Sequence, residues 1–520
     1  MTRARKNIGH ISFVGAGPGD PGLLTVRATE LLRRADLLVV DPGVLPSVTA
    51  LASPEADVRP AVGEPVDVAR TLVAEARSGL HVVRLVTGAV FTDDAVVREA
   101  TAVSRTAVPF DVVPGVPTEV GVPTYAGVPV GSVRTEADTR GLDGLDGDGA
   151  DWAAIAAAPG TLVLTTTTAH LGRVSGVLVE HGRPASTPAC VTAEGTGDTQ
   201  RSVVTTLGSL ERDAAELAGP VVVTVGAAVG QRARLSWWES RPLYGWRVLV
   251  PRTKEQAGAM SERLRGHGAI PKEVPTIAVE PPRTPAQMER AIKGLVTGRY
   301  EWIIFTSTNA VRAVREKFEE FGLDARAFAG VKIACVGEAT AAAIRGFGIS
   351  PELLPSGEQS SEGLLADFPP YDNVLDPIDR ILLPRADIAT ETLAEGLRER
   401  GWEIDDVTAY RTVRAAPPPA EIREAIKGGG FDAVCFTSSS TVRNLVGIAG
   451  KPHARTVVAC IGPQTAATAR EFGLRVDVQP DIAQITTLVD ALAAYAVQLR
   501  ENGDESPPPR KSRSKGRAAR

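Results

Sequence analysis

Residues 302–474 contain two copies of one sequence module. The first copy reads WIIFTSTNAVRAV at 302–314 and continues as IACVGEAT at 333–340. The second copy reads AVCFTSSSTVRNL at 433–445 and continues as VACIGPQT at 458–465. Each piece places small hydroxyl residues or a glycine where an apolar strand pattern changes to a helical pattern. The repeat therefore predicts two similar α/β lobes, each with two helices that begin directly after strands.

Helix N-termini of this kind bind anions, because their free backbone N–H groups and the positive end of the helix dipole point at the ligand. Four such termini facing a shared cleft would suit a polyanionic ligand. The alternative is that each hydroxyl only caps its helix, which stabilises the helix by about 1 kcal/mol. A cap that faces a cleft can serve both purposes, so the two interpretations remain open together.

Composition indicates a globular chain of about three or four domains, since its 520 residues are 43% hydrophobic and 23% charged with a net charge of −5. No apolar run approaches the roughly 20 residues that span a bilayer. The first residues, MTRARKN, lack the apolar stretch of a signal peptide. We therefore expect no membrane association and a cytoplasmic location.

The cysteines and the basic tail carry no functional motif. The four cysteines stand singly at the ends of apolar runs, so we expect buried thiols without a disulfide or a metal site. Residues 498–520 are expected to form a disordered tail, in which 510–520 contains six Lys or Arg residues and no acid. Because no basic face accompanies it, we expect a solubilising extension and no nucleic-acid partner, although the basic charge leaves weak support for one.

Two segments divide the chain. Residues 231–245 interrupt the alternation of strand and helix patterns and contain Pro242 and Gly245, which predicts a linker between a first domain at 8–230 and a second at 246–497. A Gly/Asp-rich stretch at 141–151 predicts a break between two subdomains of the first domain. Both domains otherwise alternate short apolar runs with amphipathic stretches, which is typical of α/β folds with largely parallel sheets.

The first domain opens with ISFVGAGPGDPGLLT at 11–25. A dinucleotide-binding turn needs GxGxxG, and here Asp20 and Pro21 replace the last part of that pattern, so a nicotinamide cofactor is excluded. The string instead resembles the opening of the tetrapyrrole methylases, in particular the uroporphyrinogen-III C-methyltransferases. The resemblance continues through VVPGVP at 112–117, YAGVP at 125–129 and TPACVTAEGT at 187–196.

This resemblance implies two α/β lobes that clasp S-adenosylmethionine (SAM) and a homodimer formed through this domain. The positions that match the family's ligand-binding residues are Gly15, Gly17, Pro18, Gly19, Asp20, Asp41, Gly88, Pro188 and Ala189.

The first domain also departs from the family pattern. Three short stretches differ from the residues that the family has at the same places. TGAV at 87–90 replaces a Gly-Gly-Asp-Pro loop, TTTT at 165–168 replaces a Met-Gly pair, and GSVR at 131–134 replaces a Thr-His-Arg stretch. Methyl transfer depends mainly on alignment of the reactants and exclusion of water, so lost loop residues matter. Two readings stay open: a SAM-dependent methyltransferase, or an inactive methylase fold that acts as a scaffold or ligand sensor.

The second domain resembles uroporphyrinogen-III synthase along its whole length. The matching pieces are PR at 251–252, FTSTNAV at 305–311, LPR at 383–385, YRT at 410–412 and IGP at 461–463. The resemblance implies a bilobal fold with two parallel-sheet α/β lobes. Lobe one would comprise 246–279 and 413–495, and lobe two would comprise 283–409.

By the same resemblance, the substrate is hydroxymethylbilane, a linear tetrapyrrole that loses water and closes into a ring with its last pyrrole inverted. Neither a metal nor an organic cofactor is implied. The substrate carries several carboxylates, which the helix N-termini of the repeat could bind. The expected substrate-binding residues are Arg252, Thr306, Ser307, Gly337, Thr437, Ser438 and Gly462.

Tyr410 is the candidate catalytic residue. Departure of the substrate hydroxyl needs a proton, which a nearby phenol could donate as a general acid. The family has a tyrosine before the chain crosses back to the first lobe, and Tyr410 stands at that place. The alternative is a tyrosine that only packs against a lobe. None of the six histidines forms a metal-binding pair or lies in a nucleophile motif.

Two functions of different class follow from these patterns. The first is an enzyme that makes uroporphyrinogen III, with methylation as a second activity that would pass the product towards sirohaem or corrin synthesis. If the first domain is inactive, the synthase would serve haem synthesis. The second is a bilobal binding protein with a synthase-like fold, whose N-terminal part senses SAM or a tetrapyrrole.

Overall fold

The computed structural model describes residues 8–140, 151–252 and 254–503. The predicted break at 141–151 lies almost entirely outside the described residues, as does the basic stretch at 510–520. The described chain forms two compact units. The first contains residues up to 247 together with 263–270 and 493–503, and the second contains most of 248–492.

The first unit begins with a parallel sheet covered by helices. Its elements are β1 (His10–Gly15), α1 (Val26–Arg34), β2 (Leu37–Val40), α2 (Pro46–Thr49), β3 (Asp57–Pro60), α3 (Pro65–Arg77), β4 (His81–Val86), α4 (Asp94–Ser104), β5 (Phe110–Val113) and α5 (Thr118–Tyr125). The strand order is β3-β2-β4-β1-β5, and all neighbours are parallel. Phe13 and Leu37 pack under α3 and α4, whereas Val14 and Leu38 pack under α1. Burial on both faces explains why these strands are continuous apolar runs.

A second sheet follows the first in this unit. Its elements are β6 (Arg134–Asp138), α6 (Trp152–Ala157), β7 (Thr161–Thr167), α7 (Leu171–Glu180), β8 (Pro188–Ala193), β9 (Arg201–Thr206), α8 (Leu210–Asp213) and β10 (Pro220–Val225). The order is β6-β7-β10-β8-β9, in which only β6 and β7 are parallel. This sheet departs from the expected parallel arrangement. The loop at 194–200 between β8 and β9 is too short for a parallel crossover, which needs a dozen or more residues.

Residues 231–245, treated above as a linker, lie in the first unit. They begin with helix α9 (Arg232–Leu235) and continue to Gly245 as irregular chain. The second of two adjacent tryptophans in this segment, Trp238, is buried, and Leu243 is fully buried. The segment is therefore packed chain and not a solvated spacer.

The second unit contains two further sheets. Its first elements are β11 (Arg247–Val250), α10 (Lys254–Gly266), β12 (Ile270–Glu273), β13 (Ile277–Glu280), α11 (Pro285–Val296), β14 (Trp302–Phe305), α12 (Thr308–Glu320), β15 (Lys332–Cys335), α13 (Glu338–Arg345) and α14 (Ser361–Asp367). The remaining elements are β16 (Arg380–Ala386), α15 (Thr392–Glu399), β17 (Glu403–Arg414), α16 (Ala420–Lys427), β18 (Ala433–Phe436), α17 (Ser439–Ala449), β19 (Val457–Cys460), α18 (Pro463–Glu471) and α19 (Ile485–Glu501).

Each copy of the repeat forms two neighbouring parallel strands. One sheet has the order β12-β11-β18-β19, and the other has the order β13-β17-β16-β14-β15. Strand β14 pairs with β15, and β18 pairs with β19, both in parallel. The prediction of an α/β fold with two parallel-sheet lobes is confirmed.

The two chain crossings between these sheets run side by side. Strand β13 pairs antiparallel with the end of β17, so that Ile277 lies opposite Arg414 and Glu280 lies opposite Arg411. Arg411 also forms an ion pair with Glu280 at 2.7 Å. The first part of β17 continues the parallel sheet next to β16. Strand β17 therefore begins in the parallel sheet beside β16 and ends in the connection beside β13.

Helix length and cysteine burial can be compared with the sequence predictions for the described residues. No helix in the described ranges is long and apolar enough to cross a membrane. All four cysteines are buried as free thiols. Burial raises the pKa of Cys335, Cys435 and Cys460 to about 12 in each case, so these thiols are protonated at neutral pH.

Candidate functional sites

The hydroxyl residues of the repeat cap their helices. Ser307 is the N-cap of α12, and its Oγ accepts a hydrogen bond from the Ala310 N–H at 3.2 Å. Ser438 is the N-cap of α17 and forms a capping box with Thr441, in which each side chain accepts from the other's N–H at 3.3 Å. The capping interpretation therefore holds for both serines. Sequence analysis did not single out Thr441, although its position three residues after a serine is a capping-box spacing.

The two glycines of the repeat begin the other two helices. Gly337 is the N-cap of α13, and Gly462 is the N-cap of α18; neither supplies a side-chain cap. At α13, the Gln359 side chain accepts a hydrogen bond from the Glu338 N–H at 3.1 Å. Parallel pairing of β14 with β15 and of β18 with β19 places the N-termini of α12 and α13 at one sheet edge, and those of α17 and α18 at another.

A pocket of about 340 Å³ lies where β11 and β18 end. Its polar lining includes Arg252, Thr276, Thr437, Ser438 and Thr441. The pocket thus brings together three of the predicted substrate-binding residues, two of which are hydroxyls at the N-terminus of α17. Thr306, Ser307, Gly337, Gly462 and Tyr410 do not line it.

Arg252 is the charged residue of this pocket. Its Nη1 atom is buried and has no hydrogen-bond partner among the described residues. Burial lowers the pKa of the Arg252 guanidinium below its ordinary range. A buried guanidinium is costly unless paired, and its planar set of N–H donors suits a carboxylate. The arrangement is suited to binding an anionic group at the α17 N-terminus.

Tyr410 lies on the part of β17 beside β16, one residue beyond the predicted bounds of lobe two, and its side chain packs against the core of that lobe. Its side chain is buried, and its hydroxyl forms a hydrogen bond with Ser307 Oγ at 2.9 Å. Two residues predicted for the site, 103 positions apart in sequence, are therefore in contact. The phenol hydroxyl is held at the N-terminus of α12, where the helix dipole favours negative charge.

In the first unit, the predicted glycines meet at the carboxyl ends of β1, β4 and β5. Gly17 and Gly88 exchange backbone hydrogen bonds at 3.1 and 2.9 Å. A β-carbon on Gly15 would lie 2.5 Å from the Gly115 nitrogen and 2.7 Å from the Gly88 oxygen. A β-carbon on Gly115 would overlap the Gly88 oxygen. Only glycine permits this backbone contact, which we call the glycine junction (Gly15, Gly17, Gly88 and Gly115).

Replacement of Gly115 by alanine is expected to lower the free energy of unfolding of the first unit by about 1–3 kcal/mol, because the added methyl group forces the strand ends apart. The matched control is Gly176→Ala within α7, where a β-carbon meets nothing within 4 Å. This control should be stabilising by up to about 1 kcal/mol. Both full-length variants are titrated with urea. At each urea concentration, the proteolytic fragments of the first unit are quantified to measure how much of that unit is unfolded. Equal stabilities would contradict the close packing of the junction.

Asp41 follows β2 and lies beside the junction. Its Oδ1 forms an ion pair with Arg84 Nη1 at 2.6 Å, and its Oδ2 accepts a hydrogen bond from the Thr87 N–H at 3.1 Å. Arg84 in turn donates two hydrogen bonds to Glu99, at 2.7 and 3.0 Å, and both of those side chains are only 3% exposed. Sequence analysis identified Asp41 but neither of its buried supports.

The balance of charges keeps Arg84 protonated. Burial acts to lower the pKa of Arg84, but its hydrogen bonds and charge interactions with Glu99 and Asp41 outweigh burial and raise it. The Asp41 carboxylate, with 18% of its side chain exposed, is therefore fixed in place and reachable.

Asp20 is held by contacts on both its backbone and its side chain. Its Oδ1 accepts from the Gly22 N–H at 2.7 Å, and its Oδ2 accepts from the Tyr125 hydroxyl at 2.7 Å. Its own N–H donates to Thr196 Oγ1 at 3.0 Å. The neighbouring residues Gly17 and Gly19 have positive φ angles of 69° and 151°. The loop therefore has a defined conformation, in which both glycines are buried.

Two predicted ligand-binding residues lie elsewhere. Ala189 is fully buried in the core of the second sheet, and the Pro188 carbonyl accepts a hydrogen bond from the Gly226 N–H. The described contacts do not connect either residue with the glycine junction. Among the described residues there is also no group of three or more His, Cys, Asp or Glu side chains that could hold a metal ion.

Comparison with known proteins divides the chain into two family matches. Residues 10–211 match the family described as Tetrapyrrole (Corrin/Porphyrin) Methylases, and residues 258–490 match the family described as Uroporphyrinogen-III synthase HemD. The porphyrin biosynthesis protein HemD of Ruminiclostridium josui is 28% identical over 508 residues, which cover 93% of this chain and 97% of that protein.

A second relative and a solved structure each match part of the chain. The uroporphyrinogen-III C-methyltransferase of Bacillus subtilis (strain 168) is 31% identical over 319 residues, covering 58% of this chain and 64% of that protein. The uroporphyrin-III C-methyltransferase of Thermus thermophilus, solved as a complex with S-adenosylhomocysteine, is 27% identical with a TM-score of 0.38 and covers 43% of this chain and 99% of that one.

Proposed function

Because the chain joins a domain of the tetrapyrrole methylase family to a domain of the uroporphyrinogen-III synthase family, we propose that it makes and then methylates one product. The second unit closes hydroxymethylbilane into uroporphyrinogen III with loss of water, and the first unit transfers methyl groups from SAM to that ring. The observation that carries the first part is Arg252, whose buried Nη1 atom has no hydrogen-bond partner among the described residues, in a hydroxyl-lined pocket of a synthase-family domain.

The pocket supplies the means to bind substrate carboxylates. Arg252 offers a cationic donor without a carboxylate partner among the described residues. Thr437 and Ser438 stand where α17 begins, so a carboxylate there also meets the positive end of the helix dipole. The chain thereby recognises a polyanion with one arginine and helix termini instead of a cluster of lysines.

Ring closure requires the substrate hydroxyl to leave with a proton. Tyr410 and Ser307 form a hydrogen-bonded pair at the N-terminus of α12. A proton donated from the Tyr410 hydroxyl to the leaving oxygen leaves a phenolate that the Ser307 hydroxyl and the helix terminus stabilise. Thr306, Gly337 and Gly462 are proposed to bind further carboxylates through backbone N–H groups at the remaining termini.

The first unit has features that fit a nucleoside-bearing methyl donor. The two glycines of the Gly17–Gly19 turn carry no side chains, which permits close approach of a ligand to the backbone, and Asp41 presents a fixed carboxylate beside it. SAM supplies an activated methyl group when it is bound there. Asp20 and Asp41 would hold its polar groups, while the junction keeps the surrounding backbone in place. These intact features support methylation over the alternative of an inactive scaffold, which the comparisons do not favour either.

We place this chemistry in the cytoplasm and propose that the first unit forms a homodimer. Neither proposal depends on the catalytic assignments. Light scattering on the full chain should give twice the mass of 54.5 kDa, and a monomer mass contradicts the dimer.

The test of function is a coupled assay in which the full-length protein receives freshly generated hydroxymethylbilane, with and without SAM. Oxidised products are separated by chromatography and identified by mass. Type III uroporphyrin formed without SAM supports the synthase, and the spontaneous type I isomer alone contradicts it. Added mass of one or two methyl groups with SAM supports methylation, whereas unmethylated type III product contradicts it.

Substitution Arg252→Met is expected to raise the synthase KM for hydroxymethylbilane about tenfold or more with a smaller change in kcat, because a charge-assisted hydrogen bond contributes about 1.5–3 kcal/mol. The control is Arg443→Met, a change at an exposed position of α17. Steady-state kinetics on both variants provide the measurement. An unchanged KM in Arg252→Met would remove this residue from the binding site.

A further inference from the structure

A strained loop lies against Asp20 in the first unit. In the loop 194–200, Glu194 and Thr196 have φ angles of 48° and 65°, a region that is unfavourable for a β-branched residue such as threonine. Thr196 is nonetheless buried, and it makes two specific hydrogen bonds. Its Oγ1 accepts from the Asp20 N–H at 3.0 Å, and its own N–H donates to the Gln200 side chain at 2.7 Å. The strained conformation directs the threonine hydroxyl to the Asp20 backbone.

The segment 231–245 holds this loop in place. Glu239 accepts hydrogen bonds from Gln200 Nε2 at 2.6 Å and from Ser202 Oγ at 2.6 Å, and it forms an ion pair with Arg232 at 2.9 Å. Only 15% of the Glu239 side chain is exposed. A continuous chain of hydrogen bonds therefore runs from Arg232 through Glu239, Gln200 and Thr196 to Asp20.

Two more residues of the segment bond to the backbone of the same loop. Trp238 Nε1 donates to the Gly197 carbonyl at 3.1 Å, and the Tyr244 hydroxyl donates to the Gln200 carbonyl at 2.7 Å. Backbone carbonyls in a loop would otherwise face water. These bonds fix both the backbone and the side chains of 194–200 from one side.

The same segment also reaches Asp20 from the other side, through Tyr125. The Tyr125 ring packs against Trp237 and Trp238, with ring centroids 4.9 and 4.5 Å apart. Trp237 Nε1 donates to the Thr124 carbonyl at 3.1 Å. Burial and the hydrogen bond to Asp20 raise the pKa of Tyr125, so the phenol remains protonated and donates to the Asp20 carboxylate.

We propose that Arg232, Trp238, Glu239 and Tyr125 are positioning residues for the methyl-donor loop, and that the segment 231–245 is a functional part of the methylase domain. Asp20 is held at its N–H through Thr196 and at its carboxylate through Tyr125, and both routes end in this segment. The proposal rests on the proposed SAM-binding function of the first unit. None of the family match at 10–211 covers this segment.

The test uses the full-length protein with one change on each route, Glu239→Gln and Tyr125→Phe. The first replaces a carboxylate that accepts from Gln200, from Arg232 and from both the hydroxyl and the N–H of Ser202. The second removes one hydroxyl while leaving the ring stacked. The matched control is Arg234→Met, at an exposed position of the same short helix as Arg232. Three quantities are measured: the calorimetric Kd for S-adenosylhomocysteine, hydrogen exchange of the amides at 15–25, and synthase activity.

We expect both variants to weaken S-adenosylhomocysteine binding about tenfold, to accelerate amide exchange at 15–25, and to leave synthase activity within twofold of the wild type. The control should match the wild type in all three quantities. Unchanged affinity and unchanged exchange in both variants overturn the proposal. If the wild-type protein binds no S-adenosylhomocysteine, the proposed methyl-donor function fails, and the exchange data alone then decide whether the segment positions the loop.

Discussion

Tyr410→Phe is expected to lower the kcat of type III ring closure about 100-fold without a comparable rise in KM. General acids typically contribute about 10²–10⁴-fold to a rate, and the lower end applies here because folding the substrate so that its ends meet also promotes closure. Residual activity should therefore persist. The measurement is the initial rate of type III uroporphyrinogen formation, with the type I isomer quantified in the same samples.

A companion variant separates a catalytic hydroxyl from a packing residue. Ser307→Ala removes the hydrogen-bond partner of Tyr410 and the cap of α12, so it should lower kcat less and cost about 1 kcal/mol of stability. Tyr371→Phe, a change in the same lobe beside Trp402, serves as the matched control and should retain full activity. Full activity of Tyr410→Phe would contradict proton donation and leave this tyrosine with a packing role.

The helix termini of the second unit could be predicted from the sequence because their signals are local. A hydroxyl or glycine directly after an apolar run predicts a cap, and Ser307, Gly337, Ser438 and Gly462 all occupy N-cap positions. Which termini share a pocket depends on the arrangement of sheets, which a repeat alone does not determine. The pocket gathers Arg252, Thr437 and Ser438 but not the residues of the other copy.

The supports of Asp20 could not be predicted for a related reason. Thr196 and Tyr125 lie 176 and 105 residues from Asp20 in sequence. A threonine with a positive φ angle has no sequence signature, because strain of this kind is maintained by surrounding contacts. The interrupted strand and helix pattern at 231–245, with its Pro and Gly, predicts a linker. The tryptophans and Glu239 of this segment are the signal for packing against a folded domain.

Arg84→Met is expected to lower the free energy of unfolding of the first unit by about 3–5 kcal/mol, because it leaves the Glu99 carboxylate buried without its cation. The double variant Arg84→Met/Glu99→Leu should recover much of this loss, since replacing a whole buried pair by apolar side chains is often neutral. Arg70→Ala, which breaks an exposed ion pair with Asp67, is the control and should change stability by less than about 1 kcal/mol. All three variants are titrated with urea, and the proteolytic fragments of the first unit are quantified at each urea concentration to measure its unfolding.

The double variant also separates stability from function at Asp41. In the double variant the first unit regains stability but still lacks the guanidinium that binds Asp41 Oδ1. Methyl transfer should therefore remain impaired. If the double variant regains both stability and methylation, Arg84 acts only in folding, and Asp41 needs no support from beneath. If it regains stability alone, the buried pair serves to hold a carboxylate in the orientation that the methyl-donor site requires.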